Sequence, residues 1–427
     1  MTPAELRALA AEALARAAPD RALVYADALL ARDDGDFEAL VLRARAARDL
    51  GRARAARAAA MAAWRRAEAP GERHASALVM AQALASSGQR TRAQWWLRRA
   101  AHHAPTAAAR QRAVRDFRYV RGRNPWSTEI SISVAPRSNV NGGSLQSTTR
   151  LYDLPFDFRL RGSAQALAGT EVAADVSTRY RLRGSERRKT EATLRAHYRT
   201  YRLTDAARDR APDVAGSDFA FGSLSATLSE TWRSRADRAP RRVAATVGQA
   251  WYGGEPYLGF VQLSGARHWV TGARSAVHLS LMAEAQQGRG GIADSRKLRG
   301  GAGATRRLEA GHRLRLHLAA TASRSESAAR DYDGLEVGAR LDLAEPVLGM
   351  ALDFGVRVAG ERYAGSFFGM TGREDASIAV DVRADLTGLE QYGFMPSVTL
   401  RAERTESTLG LYDTEKLGLE LGWRSAF

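Results

Sequence analysis

Charged side chains recur at every second position through the C-terminal two thirds of the sequence. From Arg313 to Ala320, Arg313, Arg315 and His317 alternate with leucines. In a strand this spacing puts all the charges on one face. An arginine facing lipid at mid-depth costs about 2–4 kcal/mol, so the charged face must line a lumen. Such a lumen is either a wet conduit or a self-satisfied network of ion pairs. The charges predicted to face it are Arg313, Arg315, His317, Arg340, Arg357, Arg383 and Glu420.

The histidines of this region do not fall in a catalytic pattern. A hydrolase needs a nucleophile, a base and an orienting group that converge on one site. None of the five histidines occurs in a G-x-S-x-G or H-E-x-x-H context, so the sequence predicts no enzyme and leaves a barrel lipase or protease as the weakest hypothesis. These histidines are His197, His268, His278, His312 and His317.

Metal and nucleotide sites are also not expected. The chain has no cysteine, which excludes disulfides and thiolate metal ligands. His102 and His103 are adjacent in a predicted helix, so their side chains point apart. The sequence GGAGAT at Gly300–Thr305 lacks the Lys of a phosphate-binding loop and is typical of a strand in which glycine eases packing. We therefore expect neither a cofactor nor a metal.

The net charge of +17 is concentrated in the first third of the chain. Residues 1–123 contain 23 Arg and Lys against 12 Asp and Glu, a net of +11, and the remainder carries +6. Such a balance is compatible with an acidic partner or a membrane surface. Because the arginines follow solvated helix faces, we do not expect nucleic acid as a partner.

Residues 1–121 predict an antiparallel helical solenoid of tetratricopeptide type. Two stretches repeat with 37 residues between Gly51 and Gly88, close to the roughly 34 of a tetratricopeptide repeat. The glycines permit tight turns, and Ala56 and Ala93 let paired helices approach each other. Such arrays present a groove for an extended peptide or another protein. A helical spacer without a ligand is the alternative.

After Arg121 the pattern changes to period-2 alternation, which predicts a transmembrane β-barrel. The expected fold is a multidomain chain, with the helical solenoid followed by an antiparallel barrel of about 14 strands, an even number as in bacterial barrels. The predicted strands are 155–168, 170–182, 189–201, 218–233, 241–252, 256–270, 274–286, 297–308, 312–323, 333–343, 349–362, 376–387, 394–404 and 416–427.

The connections and one leftover segment complete the predicted organisation. Over the C-terminal half, links near 405–415, 363–375, 324–332 and 287–296 are expected to be long and external. Those near 388–393, 344–348, 309–311 and 271–273 are expected to be short and periplasmic. Ser127–Val134 is an additional strand that would pair at the seam, act as a plug or shift the register. The predicted domains are therefore 1–121, a connecting segment 122–154 and a barrel 155–427.

The expected location is the bacterial outer membrane, with the helical domain in the periplasm. No run of 18 apolar residues predicts a transmembrane helix, and residues 1–20 read as a charged amphipathic helix rather than a signal peptide. The last strand alternates Leu417, Leu419, Leu421 and Trp423 with polar residues. It ends on Phe427, as outer-membrane barrels often do, and Ser425 interrupts its apolar face.

Two motifs resemble the surface lipoprotein assembly modifier (Slam) family. The first, NPWSTEISISVAPRSNVNGG, contains a Pro-x-Ser-Asn-x-Asn segment; the second is the C-terminal sequence from 393 to 427. A short tetratricopeptide domain ahead of the barrel is similar to that family's layout. The residues that carry the resemblance are Pro136, Ser138, Asn139 and Asn141 at the barrel start, and Gly393, Phe394, Pro396, Ser407, Tyr412, Asp413 and Phe427 at its end.

The resemblance implies an outer-membrane translocon that carries lipoproteins or soluble secreted proteins from the periplasm to the cell surface. The implied partners are the cargo, periplasmic chaperones, the barrel-assembly machinery and outer-membrane lipid, and the helical domain would engage cargo. The alternative is a polysaccharide export porin, a class that also joins tetratricopeptide repeats to a barrel. A sugar conduit needs aromatic platforms in its lumen, whereas Tyr180, Trp251 and Trp423 share the parity of the aliphatic residues.

Overall fold

The computed structural model describes residues 1–149, 158–233, 239–365 and 372–425, apart from the side chains of residues 424 and 425. The chain forms two compact units. The first comprises Met1–Ser127, Glu390–Phe394 and Ser425, and the second comprises Thr128–Leu389 and Met395–Arg424.

Seven helices make up most of the first unit, and sequence signals explain where several begin. Thr2 and Asp36 cap α1 and α3 with side-chain oxygens, and prolines occupy the first turn of α1, α2 and α5. Each helix packs against the next. The helices are α1 Pro3–Ala15, α2 Pro19–Leu30, α3 Phe37–Asp49, α4 Ala53–Arg66, α5 Pro70–Ser86, α6 Arg90–His102 and α7 Ala107–Arg123.

Alanine dominates the interior of this helical unit. Ala56 and Ala93 have no exposed surface, which allows the helix backbones to approach closely. Larger side chains fill the space between α4 and α6, where the rings of Trp64 and Trp96 meet edge to face at 5.1 Å. Burial of such aromatic pairs stabilises a core beyond the area they remove from water. No helix among the described residues is long and apolar enough to span a membrane.

The second unit is built from strands that alternate apolar and polar side chains. Between them lie one short helix, α8 Asp205–Arg210, and four short 3-10 turns. The strands are β1 Trp126–Arg137, β2 Thr148–Thr149, β3 Phe158–Arg159, β4 Gly169–Gly184, β5 Arg188–Leu203, β6 Phe221–Trp232, β7 Arg241–Tyr252, β8 Glu255–Gly272, β9 Ser275–Gly288, β10 Ser295–Arg307, β11 Arg313–Ser325, β12 Tyr332–Asp342, β13 Met350–Tyr363, β14 Arg373–Leu386, β15 Phe394–Ser407 and β16 Thr414–Ser425.

Fourteen of these strands form a closed antiparallel barrel. The circular order runs from β4 through β16 in sequence, and β1 closes the circle between β16 and β4. The register is regular over most pairs, with bulges near Arg181, Ala250 and Val270. The prediction of a helical domain followed by a fourteen-stranded antiparallel barrel is confirmed.

The identity of one barrel strand differs from the prediction. Trp126–Arg137 pairs with β16, with Ser133 opposite Gly422, so the leftover segment Ser127–Val134 belongs to the closing strand. Residues 155–157 lie outside the described residues, and 158–168 contain only the two-residue β3 and a 3-10 turn at Gly162–Ala164. The predicted strand over 155–168 is therefore wrong. Within 122–154, the connecting segment expected to contain a seam or plug strand, that strand pairs at the seam of the barrel.

The expected alternation of long and short connections over the C-terminal half is met only in part. The links 273–274 and 308–312 are short as expected, whereas 343–349 and 387–393, also expected to be short, are longer than 326–331 and 408–413, which were expected to be long. The strands extend further into the links expected to be external than the sequence indicated. The alternating pattern continues through polar residues such as Arg324 and Glu406, which the prediction assigned to loops.

Candidate functional site

The two faces of the barrel wall differ sharply in chemistry. One face carries aliphatic side chains that are about half exposed, among them Val247 at 57%, Leu263 at 61% and Leu281 at 56%. This apolar band continues on other strands through Leu316, Leu318, Leu335, Val337, Val356, Val358, Leu417, Leu419 and Leu421. A soluble protein rarely exposes so large a continuous apolar surface. Trp423 lies in the same band, at 58% exposure.

Ion pairs that span an intervening strand identify the polar face as the barrel interior. Arg299 on β10 contacts Glu336 on β12 at 3.0 Å, and Arg357 on β13 contacts Glu403 on β15 at 3.2 Å. Arg340 on β12 reaches the carboxylate of Asp381 on β14. Side chains two strands apart converge only on the concave side of a curved sheet. The charged residues therefore line the interior, and the aliphatic residues face outward.

The structure places all seven charges predicted to line a lumen on this interior face. Most of them take part in an ion-pair network. His317 contacts Glu336 at 3.2 Å, Arg383 contacts Asp385 at 3.1 Å, and Glu420 contacts Arg137 at 3.5 Å. Arg315 pairs with Asp342, Arg340 with Asp353 and Asp381, and Arg357 with Glu336 and Glu403, while Arg313 lies opposite Asp342 in the strand register.

The ion-pair network surrounds a cavity of about 420 Å³ that we call the charged cavity. Its polar lining comes from seven consecutive strands of the barrel, β9 to β15. Arg401 is a further cation there, directly opposite Asp381 on the neighbouring strand. The polar residues that line it are His278, Thr305, Arg315, His317, Arg340, Arg357, Asp381 and Arg401.

Glycines on the interior face leave room for large neighbours. A Cβ atom added to Gly338 would lie 2.0 Å from Cε1 of His317, and one added to Gly303 would lie equally close to Cε1 of His278. Gly355 likewise lies beneath the Arg340–Asp381 pair, where a Cβ would approach Arg340 Nη2 to 2.7 Å. Each imidazole or guanidinium occupies the volume that the missing side chain leaves free, which permits the network to pack densely.

The barrel histidines do not assemble into a metal site. His197 contacts Asp175 at 2.6 Å, and His312 Nδ1 accepts a hydrogen bond from the backbone N–H of Ala344. Within the described ranges, no three His, Cys, Asp or Glu side chains are grouped as metal ligands would be. In the helical unit, His102 and His103 lie with ring centroids 4.9 Å apart at the end of α6.

The first motif forms part of one rim of the barrel through its polar side chains. Ser138 Oγ accepts a hydrogen bond from the backbone N–H of Leu417 at 2.8 Å. Asn141 Nδ2 donates to the carbonyls of Ser163 and Gln165, and its Oδ1 accepts from the N–H of Leu167. Asn139 Nδ2 donates to Gly143 O, and Pro136 lies near the end of β1.

The second motif meets the first at this rim. Asp413 Oδ1 accepts a hydrogen bond from the N–H of Ser407, and the Asp413 carbonyl accepts one from the N–H of Leu145 at 2.8 Å. Tyr412 stacks on Arg373, whose Cζ lies 3.8 Å from its ring centroid. Pro396 lies in β15, and Phe427 lies outside the described residues. Two segments far apart in sequence are thus joined.

The helical residues singled out in the sequence lie at turns and in the core. Gly51 and Gly88 have φ of +73° and +79° directly after α3 and α5, a conformation that glycine adopts without strain. Ala56 and Ala93 are fully buried on α4 and α6. Two exposed aromatic residues on the helices of this unit, Trp95 at 47% and Tyr119 at 60%, had no signal in the repeat pattern.

Gly393 and Phe394, from the second motif, belong to the first unit. There Arg98 donates to the carbonyl of Gly393 at 2.7 Å, and its Cζ lies 4.5 Å from the ring centroid of Phe394. Burial lowers the pKa of the Arg98 guanidinium to about 10, assisted by the charge of Arg121. Burial also lowers the pKa of His103, with His102 and nearby arginines contributing repulsion.

Sequence reasoning missed several acidic partners of the network. Glu336 contacts Arg299, His317 and Arg357, and Glu403 bridges Arg357 and Lys416. Both lie on the interior face, at alternate positions of their strands, like the charges that were predicted. The alternation alone could therefore have identified them. Their specific partners depend on the register between strands, which the sequence of one strand does not reveal.

Comparisons with known proteins find only weak structural similarity. No protein-family model and no curated relative matches the sequence. The chain is similar to solved OccAB3 of Acinetobacter baumannii, with 9% identity, a TM-score of 0.38 and coverage of 70% of this chain and 98% of that one. A BenF-like porin of Pseudomonas fluorescens Pf-5 shows 8% identity and a TM-score of 0.38, and the match covers 70% of this chain and 99% of that one. A bacterial polysaccharide outer-membrane secretin shows 7% identity and a TM-score of 0.35, and the match covers 70% of this chain and 98% of that one. Similarities this low carry no argument about function.

Proposed function

We propose that this protein is a bacterial outer-membrane translocon that delivers lipoproteins or soluble secreted proteins from the periplasm to the cell surface. The observation that carries its transport role is the division of the barrel wall into an exposed apolar face and a charged interior with cavities. An apolar outer face is stable against hydrocarbon, where a charge would cost about 2–4 kcal/mol at mid-depth. A polar interior provides an environment for hydrated passengers.

The choice of a protein cargo rests on the resemblance of the two motifs and on the helical unit. Tetratricopeptide-type arrays bind extended peptides and protein surfaces. In this unit the exposed Trp95 and Tyr119 lie beside arginines, with Arg123 Cζ 3.6 Å from the Tyr119 ring centroid and Arg99 Cζ 5.3 Å from that of Trp95. An exposed aromatic beside a cation suits a partner with apolar and acidic side chains.

Polysaccharide export is the alternative function, and one interior feature favours it. Tyr332 and Tyr363 lie opposite each other on β12 and β13, with ring centroids 5.0 Å apart. Their parity places them on the interior face, where aromatic rings can stack on sugars. The long tetratricopeptide arrays typical of export porins are not matched by the seven helices before the barrel.

The test is a protease-accessibility assay in intact cells. The protein is fused to a signal peptide and expressed with a candidate lipoprotein encoded near it, and protease is then added outside the cells. We expect the lipoprotein to be degraded only when the translocon is present. Trp95→Ala combined with Tyr119→Ala should reduce its surface exposure while the barrel still assembles.

Barrel assembly is the internal control. A closed barrel migrates faster on a gel before boiling than after it, and each variant must show this shift. Cargo that stays protected beside a correctly assembled barrel would contradict the translocon. Loss of a surface polymer on deletion, with no change in lipoprotein exposure, would favour polysaccharide export instead.

A further inference from the structure

The barrel interior contains a second cavity, of about 340 Å³, with a lining unlike that of the charged cavity. Most of its lining side chains are small, hydroxyl-bearing or alanine, and come from the four consecutive strands β6 to β9, with Leu281 and Met282 of β9 also in the lining. We call this surface the hydroxyl trough and define it by Thr227, Ala244, Thr246, Ser264, Ala266 and Ser280. Arg242 lines the same cavity.

Strand register makes the trough continuous. Thr227 lies opposite Thr246, and their hydroxyl oxygens are 2.9 Å apart. Ala244 lies opposite Ser264, and Ala266 lies opposite Ser280. Residues directly opposite in an antiparallel pair project from the same face. The small side chains therefore form one surface across four strands, with the exposed Val247 and Leu263 on the reverse side.

The two cavities differ in what must move to let a passenger through. On the charged side, Arg340 holds Asp353 and Asp381, and Arg357 holds Glu403, so a path there requires these pairs to separate. A carboxylate left without its partner in a confined space is costly. The trough offers alanine and hydroxyl surface, which a passenger can contact without breaking an ion pair.

The connections at both ends of β8 are short. Gly253 and Gly254 alone join β7 to β8, with φ of +58° and +89°, the left-handed values that a tight hairpin requires. Ala273 and Arg274 alone join β8 to β9. β8, one of the two inner strands of the trough, therefore carries no long loop at either end. By contrast, residues 204–220, between β5 and β6, contain α8 and a 3-10 turn.

Two cations give this side of the interior a positive bias. Arg242 lies opposite Ala266, and Arg199 lies opposite Phe221 with its Cζ 5.4 Å from the ring centroid. Neither guanidinium is within salt-bridge distance of a carboxylate in the described part of the chain, and both residues are exposed. Unpaired cations in a confined channel raise the local concentration of anions.

We propose that the hydroxyl trough is the conducting route through the barrel and that it favours anions, including the acidic segments of an extended polypeptide. The polypeptide part rests on the proposed translocon function. Passage of small anions does not depend on it. Ion conduction by the full-length protein in a planar bilayer therefore tests the route without any cargo.

The native chain has no cysteine, so single cysteines are selective probes. Thr246→Cys places one in the trough and Thr305→Cys places one in the charged cavity, as a matched exchange. The current is recorded before and after reaction with 2-sulfonatoethyl methanethiosulfonate, and mass spectrometry confirms the modification. We expect most of the current to be lost for Thr246→Cys and little to be lost for Thr305→Cys.

A second matched pair tests anion preference. Under a potassium chloride gradient, the reversal potential should report preference for chloride. Arg242→Gln should move it toward the value of an unselective pore, whereas Arg401→Gln, in the charged cavity, should leave it unchanged.

Three results would overturn the proposal. They are a block at Thr305→Cys instead of Thr246→Cys, loss of selectivity with Arg401→Gln instead of Arg242→Gln, or no current from the assembled barrel. None of these results bears on whether cargo reaches the cell surface in the protease assay. Failure of the conducting route and failure of the translocon function are therefore distinguishable.

Discussion

The imidazole of His317 lies over Gly338 on the adjacent strand, in the volume that a side chain at Gly338 would fill. The two residues are directly opposite in the register of β11 and β12, and a Cβ atom at Gly338 would come within 2.0 Å of His317 Cε1. His317 in turn contacts Glu336 at 3.2 Å. The absence of a side chain at Gly338 is therefore a condition for this part of the ion-pair network.

Gly338→Ala should displace the partly exposed His317 ring from Glu336 and destabilise the barrel by about 1 kcal/mol, the usual value of an exposed ion-pair contact. Gly360→Ala on β13 is the control, because no atom lies within 4 Å of a Cβ added there. The unfolding midpoint of each variant is measured by urea titration, with the heat-dependent gel-mobility shift as the readout. Equal midpoints for the two variants would contradict the steric role of Gly338.

Arg373→Gln should weaken the rim. Arg373 is only 6% exposed, pairs with Asp375 at 3.1 Å and lies 3.8 Å from the ring centroids of both Tyr363 and Tyr412. Removing one partner of a buried pair leaves the other charge uncompensated, at about 3–5 kcal/mol. Arg404→Gln removes an exposed pair with Glu406 and should cost at most about 1 kcal/mol. The free energies of unfolding of the two variants are compared by chemical denaturation in vesicles of one lipid composition.

Val247→Arg and Thr246→Arg place the same charge on opposite faces of β7. In lipid vesicles, Val247→Arg should lower barrel stability by about 2–4 kcal/mol, because this residue lies in the apolar band. Thr246→Arg lies in the hydroxyl trough, where water solvates the charge, and should cost much less. Similar losses for both variants would argue against a lipid-facing outer surface.

The helical unit should lose stability as the pH falls from 7.5 to 5.0. Burial, together with the charges of His102, Arg73 and Arg99, lowers the pKa of His103 below its unfolded value. The unfolded state therefore binds the proton first, and stability is lost as the pH falls through the folded-state pKa.

His103→Gln should reduce this pH dependence. Because the Trp64 and His103 ring centroids are 5.8 Å apart, tryptophan fluorescence of the full-length protein reports unfolding near the site. The slopes of melting temperature against pH are compared between the variant and the native chain. Identical slopes would show that other groups cause the dependence.

Period-2 alternation correctly predicted thirteen of the fourteen barrel strands and their inward charges, because a single strand records its own two faces. The strand at Trp126–Arg137 was harder to assign. Its Ile130, Ile132 and Val134 alternate as clearly as the others, but its partner β16 lies almost 300 positions later. Local pattern does not identify so distant a neighbour.

Partners across the interior were unpredictable for a related physical reason. Arg340 was identified as an inward charge, but its pairing with Asp381 depends on the register of β12, β13 and β14 together and on the space above Gly355. The hydroxyl trough is likewise invisible in any one strand. Serine, threonine and alanine are common everywhere, and only four aligned strands turn them into a surface.

The junction at the rim has a consequence for biogenesis. Ser144 Oγ donates to the carbonyl of Gly410, 266 positions away, and Leu145 bonds to Asp413. These bonds are unavailable until the final hairpin has been synthesised and inserted. The rim would therefore be completed last, when the sheet closes on itself. Its formation marks a finished barrel, and an intermediate arrested before that step would leave Ser138–Leu145 without their partners, a distinction that proteolysis during assembly would reveal.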